Sequence, residues 1–208
     1  MTAPAKNERL RARLRATVRD EILEAAERAI VEEGLEGASL LSIARRAGVA
    51  VGTIYNYFHD RQELFRELFG TRKAELVAAL EHGMKGVARE PFAVQLEAFA
   101  RIFLETYDAR REFMRVVMGS EPLRLQMMCD RAGRLRSVIQ ELQTRAERVM
   151  QVGVNERRLR AAEVGLLAAV FTGMLRGVVL TFLDQKAPLA DAAPRVVELF
   201  CNGAFRSS

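Results

Sequence analysis

At 208 residues, half of them hydrophobic, the chain can bury one sizeable core or a small module beside a larger one, which excludes disorder as a whole. The longest uncharged apolar run, residues 164–175, is far short of the ~20 residues a membrane-spanning helix needs, and the polar start MTAPAKNERL lacks the apolar stretch of a signal peptide; a cytoplasmic protein without a membrane partner is expected. The net charge of +5 sits in residues 1–19, where Lys6, Arg9, Arg11, Arg13, Arg15 and Arg19 face only Glu8, while the rest holds 26 basic and 26 acidic side chains.

A short basic arm of this kind attracts a polyanion through counterion release, or serves as a solubilising tail; the neighbouring residues decide between the two. Val18, Ile22, Ala25, Ala26, Ala29 and Ile30 recur at helical spacing and Gly34 follows them, which predicts an amphipathic helix with its stop. Ser39 then caps a short second helix, LLSIARRA, that ends at Gly48, and a third, VGTIYNYF, begins within a few residues. Asp60 stands at an N-cap with Glu63 three residues on, ahead of a fourth helix over residues 61–82. Longer helices are expected over residues 91–108, 111–118, 122–152, 159–185 and 188–205. Five prolines outside helical interiors and almost no alternating runs make the fold all-α. The organisation is a helical head over residues 1–60, joined by a connecting helix to a larger body over residues 61–208.

The second and third helices carry the chemistry. Ala44 and Gly48 are the small residue and the reversal that two steeply crossing helices need. Leu40, Ile43, Ala47, Val49, Ile54 and Phe58 form the apolar wedge between them. With Ile54 and Phe58 inward, the opposite strip presents Val51, Gly52, Thr53, Tyr55, Asn56 and Tyr57: hydroxyls and an amide for base edges and phosphates, methyls for thymine, and a glycine for close approach. Tyr55 and Tyr57, two positions apart, cannot both enter one core, so at least one points outward. No acid occurs from Ala38 to His59, and Arg45, Arg46 and the arm add positive charge nearby. Ser39 and Arg61 open helices whose free N–H groups suit phosphates.

The stretch ASLLSIARRAGVAVGTIYNYFHDRQELF resembles the DNA-binding segment of the TetR family of bacterial transcriptional regulators, and the resemblance extends over residues 18–68. It implies a three-helix helix-turn-helix head that binds a double-stranded DNA operator, with contacts from Ser39, Val51, Gly52, Thr53, Tyr55, Asn56, Tyr57 and Arg61. Two positions depart from the family's pattern: Ala50 replaces the small hydroxyl that usually opens the third helix, and Arg61 replaces the usual lysine.

In the body, Gly165, Ala169, Gly173 and Gly177 repeat every fourth residue along an apolar helix. The last helix offers Val196, Leu199, Phe200, Gly203 and Ala204 on one face. These are a helix-pair interface or ordinary internal packing. The resemblance implies a homodimer closed by the last two helices. Phe99, Phe103, Tyr107, Met114, Met118, Met127 and Met128, with Phe171 and Met174, line a deformable pocket for a small apolar effector or belong to the core. Cys129 and Cys201 are read as reduced, buried thiols without a disulfide or metal role. His59 and His82 offer no catalytic partner group, no phosphate loop or nucleophile elbow appears, and neither enzymatic activity nor a cofactor or metal is expected. The leading expectation is a ligand-responsive repressor; a DNA-binding protein indifferent to effectors and a helical interaction module are the alternatives.

Overall fold

Between Pro4 and Gly34 the sequence contains no residue that interrupts a helix, and the chain uses the whole stretch. In the computed structural model, which describes residues 3–120, 134–159 and 163–203, the first helix α1 runs Ala3–Gly37, with Gly34 leaving helical geometry at φ 74° and ψ 170°. The basic arm is therefore the first half of α1. Pro4 is tolerated because its missing N–H falls in the first turn.

Three further elements complete the head: α2 (Leu40–Ala47), the five-residue α3 (Val51–Tyr55) and the start of α4 (Arg61–Gly86). By packing, the chain divides into two units between Arg72 and Lys73, inside α4. The first unit buries one apolar stripe from each helix: Ile22, Ala26, Ala29 and Ile30 from α1, Ile43 and Ala44 from α2, Ile54 from α3, and Leu64 and Leu68 from α4, with Phe58 from the connection between α3 and α4. Each fully buried Ile, Leu or Phe contributes about 1.5–3 kcal/mol through removal from water. Arg72, nearly buried, ties α4 to α1 through Glu24 (2.8 Å) and Glu27 (2.6 Å).

The second unit holds α5 (Phe92–Asp108), α6 (Arg111–Gly119), α7 (Arg134–Asn155), α8 (Val164–Phe182), a 3-10 turn (Leu189–Ala192) and α9 (Ala193–Asn202). Its core is a single cluster in which Phe92, Leu96, Phe99 and Phe103 of α5 meet Ala146, Val149 and Met150 of α7, Ala168, Phe171 and Leu175 of α8, and Ala193 and Val196 from the end of the chain. Asp108 and Arg111 fasten the stretch before the 3-10 turn: Asp108 accepts from the Leu189 N–H (3.2 Å) and Arg111 donates to the Gln185 and Ala187 carbonyls. The first part of the helix expected over residues 122–152, with Met127, Met128 and Cys129, and the C-terminal Ala204 lie outside the described residues.

One expectation about the body changes. The uncharged run stops at Leu175 only because Arg176 follows, and α8 continues through it to Phe182, 19 residues in all. By length and composition alone this helix is apolar enough to cross a membrane, with a mean hydropathy of 1.8. Its inner face is in the core, so the same composition also serves a packed helix.

Candidate nucleic-acid interface

The turn between α2 and α3 is built from one residue in the left-handed region. Gly48 lies at φ 67°, ψ 27°, its N–H reaches the Ala44 and Arg45 carbonyls, and the Val49 N–H bonds to the Ala44 carbonyl at 3.0 Å. A side chain there has room but meets the backbone penalty of about 1 kcal/mol for an L-residue at positive φ. Ser39 caps α2: its Oγ accepts from the Ser42 N–H (3.1 Å), leaving its own O–H proton available to an outside acceptor. At the head of α3 Ala50 has no side chain to perform that task, as its departure from the family's pattern implies.

Ile54 and Phe58 are fully buried, and the strip opposite them faces out. Gly52, Tyr55 and Asn56 are exposed, Val51, Thr53 and Tyr57 half-buried. The sequence suggests a helix up to Phe58, but α3 ends at Tyr55 and continues as a tightened turn, with Asn56 and Tyr57 bonding three residues back to Thr53 (3.1 Å) and Ile54 (2.9 Å). The two tyrosines separate as their spacing demands. Tyr55 is 56% exposed, whereas Tyr57 is flanked by the Phe58 ring (6.5 Å) and lies under the Arg15 guanidinium, 5.8 Å from its centroid. Arg15 also donates to the Asn56 carbonyl at 3.5 Å, so the basic half of α1 touches the outward strip.

The arginines divide by what holds them. Arg45 is exposed and makes no ion pair among the described residues. Arg46 is engaged by Glu32 (2.5 Å) and Glu33 (2.7 Å), and the Glu32 hydrogen bond foremost raises its pKa above the ordinary arginine value. Arg61, expected to offer its charge outward, turns inward instead: its guanidinium donates to the Ala38 carbonyl (2.8 Å), the Leu35 carbonyl and the Glu36 carbonyl (3.3 Å), and covers the Phe65 ring at 4.7 Å. The reason is geometric. Gly34 and Gly37 end α1 beside the first turn of α4 with its last carbonyls unpaired, and a planar fork of donors satisfies several at once. Asp60 caps α4 by accepting from the Glu63 N–H (2.6 Å), and Glu63 returns the bond to His59 N–H (2.5 Å).

In the body, the small-residue stripe is on the outside. Gly165, Ala169 and Gly177 are exposed together with Leu166, Val170 and Leu180, and a Cβ placed on Gly173 or Gly177 meets nothing within 4 Å. Leu199 and Gly203 of the C-terminal segment are likewise exposed. Val196 is not on that surface: at 4% exposure it belongs to the chain's own core, and Phe200 leans its ring on Phe171 at 5.2 Å. Both are claimed by the aromatic cluster because α9 presents its apolar stripe to α5. Of the candidate pocket residues, Phe99, Phe103 and Phe171 are fully buried and pack on neighbouring rings, with Phe99 to Phe171 at 5.9 Å and Phe103 to Tyr107 at 4.9 Å; Met114, Met118 and Met174 border the cluster. Burial pushes the Tyr107 hydroxyl above its usual pKa, opposed in part by the Arg176 charge. Cys201 is exposed rather than buried.

Residues 22–68 match the family model for bacterial regulatory proteins of the tetR family. The head carries a tetR-family DNA-binding segment. The chain's resemblance to individual members is of two kinds. It is 23% identical to the fatty acid metabolism regulator protein of Bacillus subtilis over 188 residues, 88% of this chain and 93% of that protein. It is 38% identical to the transcriptional repressor AcnR of Corynebacterium diphtheriae over 78 residues, which is 36% of this chain and only 40% of that relative. The crystal structure of the transcriptional regulator FadR from Bacillus subtilis in complex with stearoyl-CoA superposes with a TM-score of 0.73 over 89% of this chain and 98% of that one, at 21% identity, a likeness of fold. The higher identities therefore fall on short matches, while the likeness that spans most of the chain is at 21–23% identity.

Proposed function

We propose that this protein acts in the cytoplasm as a homodimeric TetR-family repressor that binds a (pseudo)palindromic operator and is released by a lipophilic effector. The observation that carries the reading is the exposed strip Gly52, Tyr55 and Asn56, backed by buried Ile54 and Phe58 and bordered by free cations. Base contacts come from Val51, Gly52, Thr53, Tyr55 and Asn56, and phosphate contacts from Ser39, Arg45, Tyr57 and the N–H groups at the start of α4, whose Arg61 side chain is otherwise engaged. Two heads related by a two-fold axis read successive major grooves ~34–36 Å apart, which a single head cannot do. The exposed stripe of α8, with Leu166 and Leu180 beside it and Leu199 of α9, supplies the apolar surface for that dimer.

The effector occupies the region of Phe99, Phe103, Tyr107, Met114, Met118, Phe171 and Met174, parting rings that now rest on each other. It acts by binding the form whose head spacing no longer suits the operator, since only differential affinity can shift that balance. A long-chain acyl-CoA is the first to test, because the similar FadR structure holds stearoyl-CoA. The experiment is footprinting and anisotropy on DNA flanking the protein's own gene, with and without stearoyl-CoA. A protected palindrome released by the ligand is expected; protection unaffected by a panel of lipophilic ligands leaves a DNA-binding regulator without effector. Tyr55→Ala with Asn56→Ala removes two base contacts of ~1–3 kcal/mol each and is expected to weaken operator binding about a hundredfold with the melting temperature unchanged. Undiminished binding by this variant would refute the assignment of the strip.

A further inference from the structure

The helical continuation of α1 ahead of its core-forming half has no counterpart in the packing of the head. From Asn7 to Thr17 every side chain is exposed, including Leu10 and Leu14 at 55% and 58%, so this half of the helix is not held by burial. It also works against its own electrostatics. The N-terminal end of a helix is the positive end of its dipole and favours acids, yet Arg9, Arg11, Arg13 and Arg15 crowd there with Glu8 as the sole acid. Like charges four apart on a helix, such as Arg9 with Arg13 and Arg11 with Arg15, repel one another. A violation of local rules on this scale marks a surface whose stabilising partner comes from outside.

The direction of the charges is fixed by the helix itself. Arg11, Arg15 and Arg19 follow one another at four-residue spacing on the continuation of the stripe that carries Ile22, Ala26 and Ala29 into the core. Arg19 is consumed internally by Glu67 and by the face of Phe58. Arg15 reaches the Asn56 carbonyl and the Tyr57 ring, at the edge of the strip read as the DNA-facing surface. Arg11 stands one turn further out, about 6 Å along the axis, on the same side and with no partner among the described residues.

We propose that the N-terminal turns of α1 form a second DNA-contacting element, in which Arg11 and Arg15 lie along the phosphate backbone next to the tract engaged by α3; the inference rests on the reading of this protein as a DNA-binding regulator. The occupant is duplex phosphate because the row is cationic and continuous, through Arg15, with the strip read as the DNA-facing surface. A helix holds these charges at a fixed spacing along one side. The element adds affinity and register, not sequence choice.

The test is the salt dependence of binding by the full-length protein to its operator and to a mixed-sequence duplex of equal length, for the wild type, Arg11→Gln and the double variant Arg11→Gln with Arg15→Gln. Arg15→Lys, which keeps the charge but not the bond to Asn56, is the control for disturbance of α3. The slope of log affinity against log salt is expected to fall by about 0.9 for each phosphate no longer neutralised, with parallel weakening on both duplexes, and Arg15→Lys is expected to retain the wild-type slope. Slopes unchanged by the double variant would overturn the inference while leaving the function of the head intact. A loss confined to the operator would also overturn it, since the helix would then be reading bases. A wild type that binds neither duplex would overturn both this inference and the reading on which it rests.

Discussion

The head and the body leave different things uncovered. In the head, the exposed Leu10, Leu14, Leu41 and Tyr55 stand among cations that divide into those tied to the chain's own carbonyls and carboxylates, such as Arg46, Arg61 and Arg72, and those left facing solvent, such as Arg11 and Arg45. In the body the exposed residues that stand out are Leu166, Val170, Leu180 and Leu199, around glycines with open space above them. A surface that keeps free positive charge is ready for a polyanion; a surface that keeps free apolar area and low relief is ready for another apolar surface. The two units are specialised by what they do not bury.

The largest effect that would sharpen this contrast is in the body's core. Phe171 is fully buried among Phe99 and Phe200, and Phe171→Ala is expected to cost about 3–5 kcal/mol, read as a lowered denaturation midpoint with the head's DNA contacts untouched in sequence. A loss below ~1 kcal/mol would mean the aromatic cluster is loosely packed and already open to a ligand. Next comes Arg61. Arg61→Ala deletes charge-assisted bonds to the carbonyls at the end of α1 and is expected to destabilise the protein by about 2 kcal/mol, with Arg61→Lys recovering only part because an ammonium lacks the planar fork. If the variant kept full stability but lost operator affinity, the side chain would be acting on DNA instead. The smallest effect is the most discriminating. Gly177→Ala fills open space on a helix and is expected to raise the stability of the single chain by about 0.5–1 kcal/mol, yet to weaken self-association in sedimentation equilibrium if a second copy sits on the stripe. An unaltered association constant would move the dimer contact elsewhere.

Much of the head is legible from sequence because its signals are local. Gly34, Gly48 and Asp60 mark their boundaries through backbone chemistry that a few neighbouring residues determine, and the i, i+4 pair Ile54 and Phe58 settles which strip faces out. The destination of Arg61 is not legible, since its partners are main-chain carbonyls more than twenty residues earlier that no periodicity reveals. The helical state of the arm is missed for a different reason: charge density suggests a tail, while the composition of Arg, Leu, Ala and Glu, without Gly and with Pro4 only in the first turn, favours a helix. In the body, apolar residues surround α8 on nearly every side, and in α9 Val196 and Leu199 stand three apart on one apolar face, so sequence pattern alone cannot separate Val196, which turns inward, from Leu199, which does not. The stripe of α8 is readable because small residues at a fixed interval are informative where large ones are interchangeable.

Arg61 has a mechanical consequence. The residue that starts α4 grips the connection leading into α2, while Asp60 and Glu63 lock the peptide between them and Phe58, so there is no slack at this end of the rod. The start of α4 and the connection into α2 are therefore one stiff corner of the head. Because its partners are main-chain carbonyls, this grip does not depend on which side chains residues 35, 36 and 38 carry.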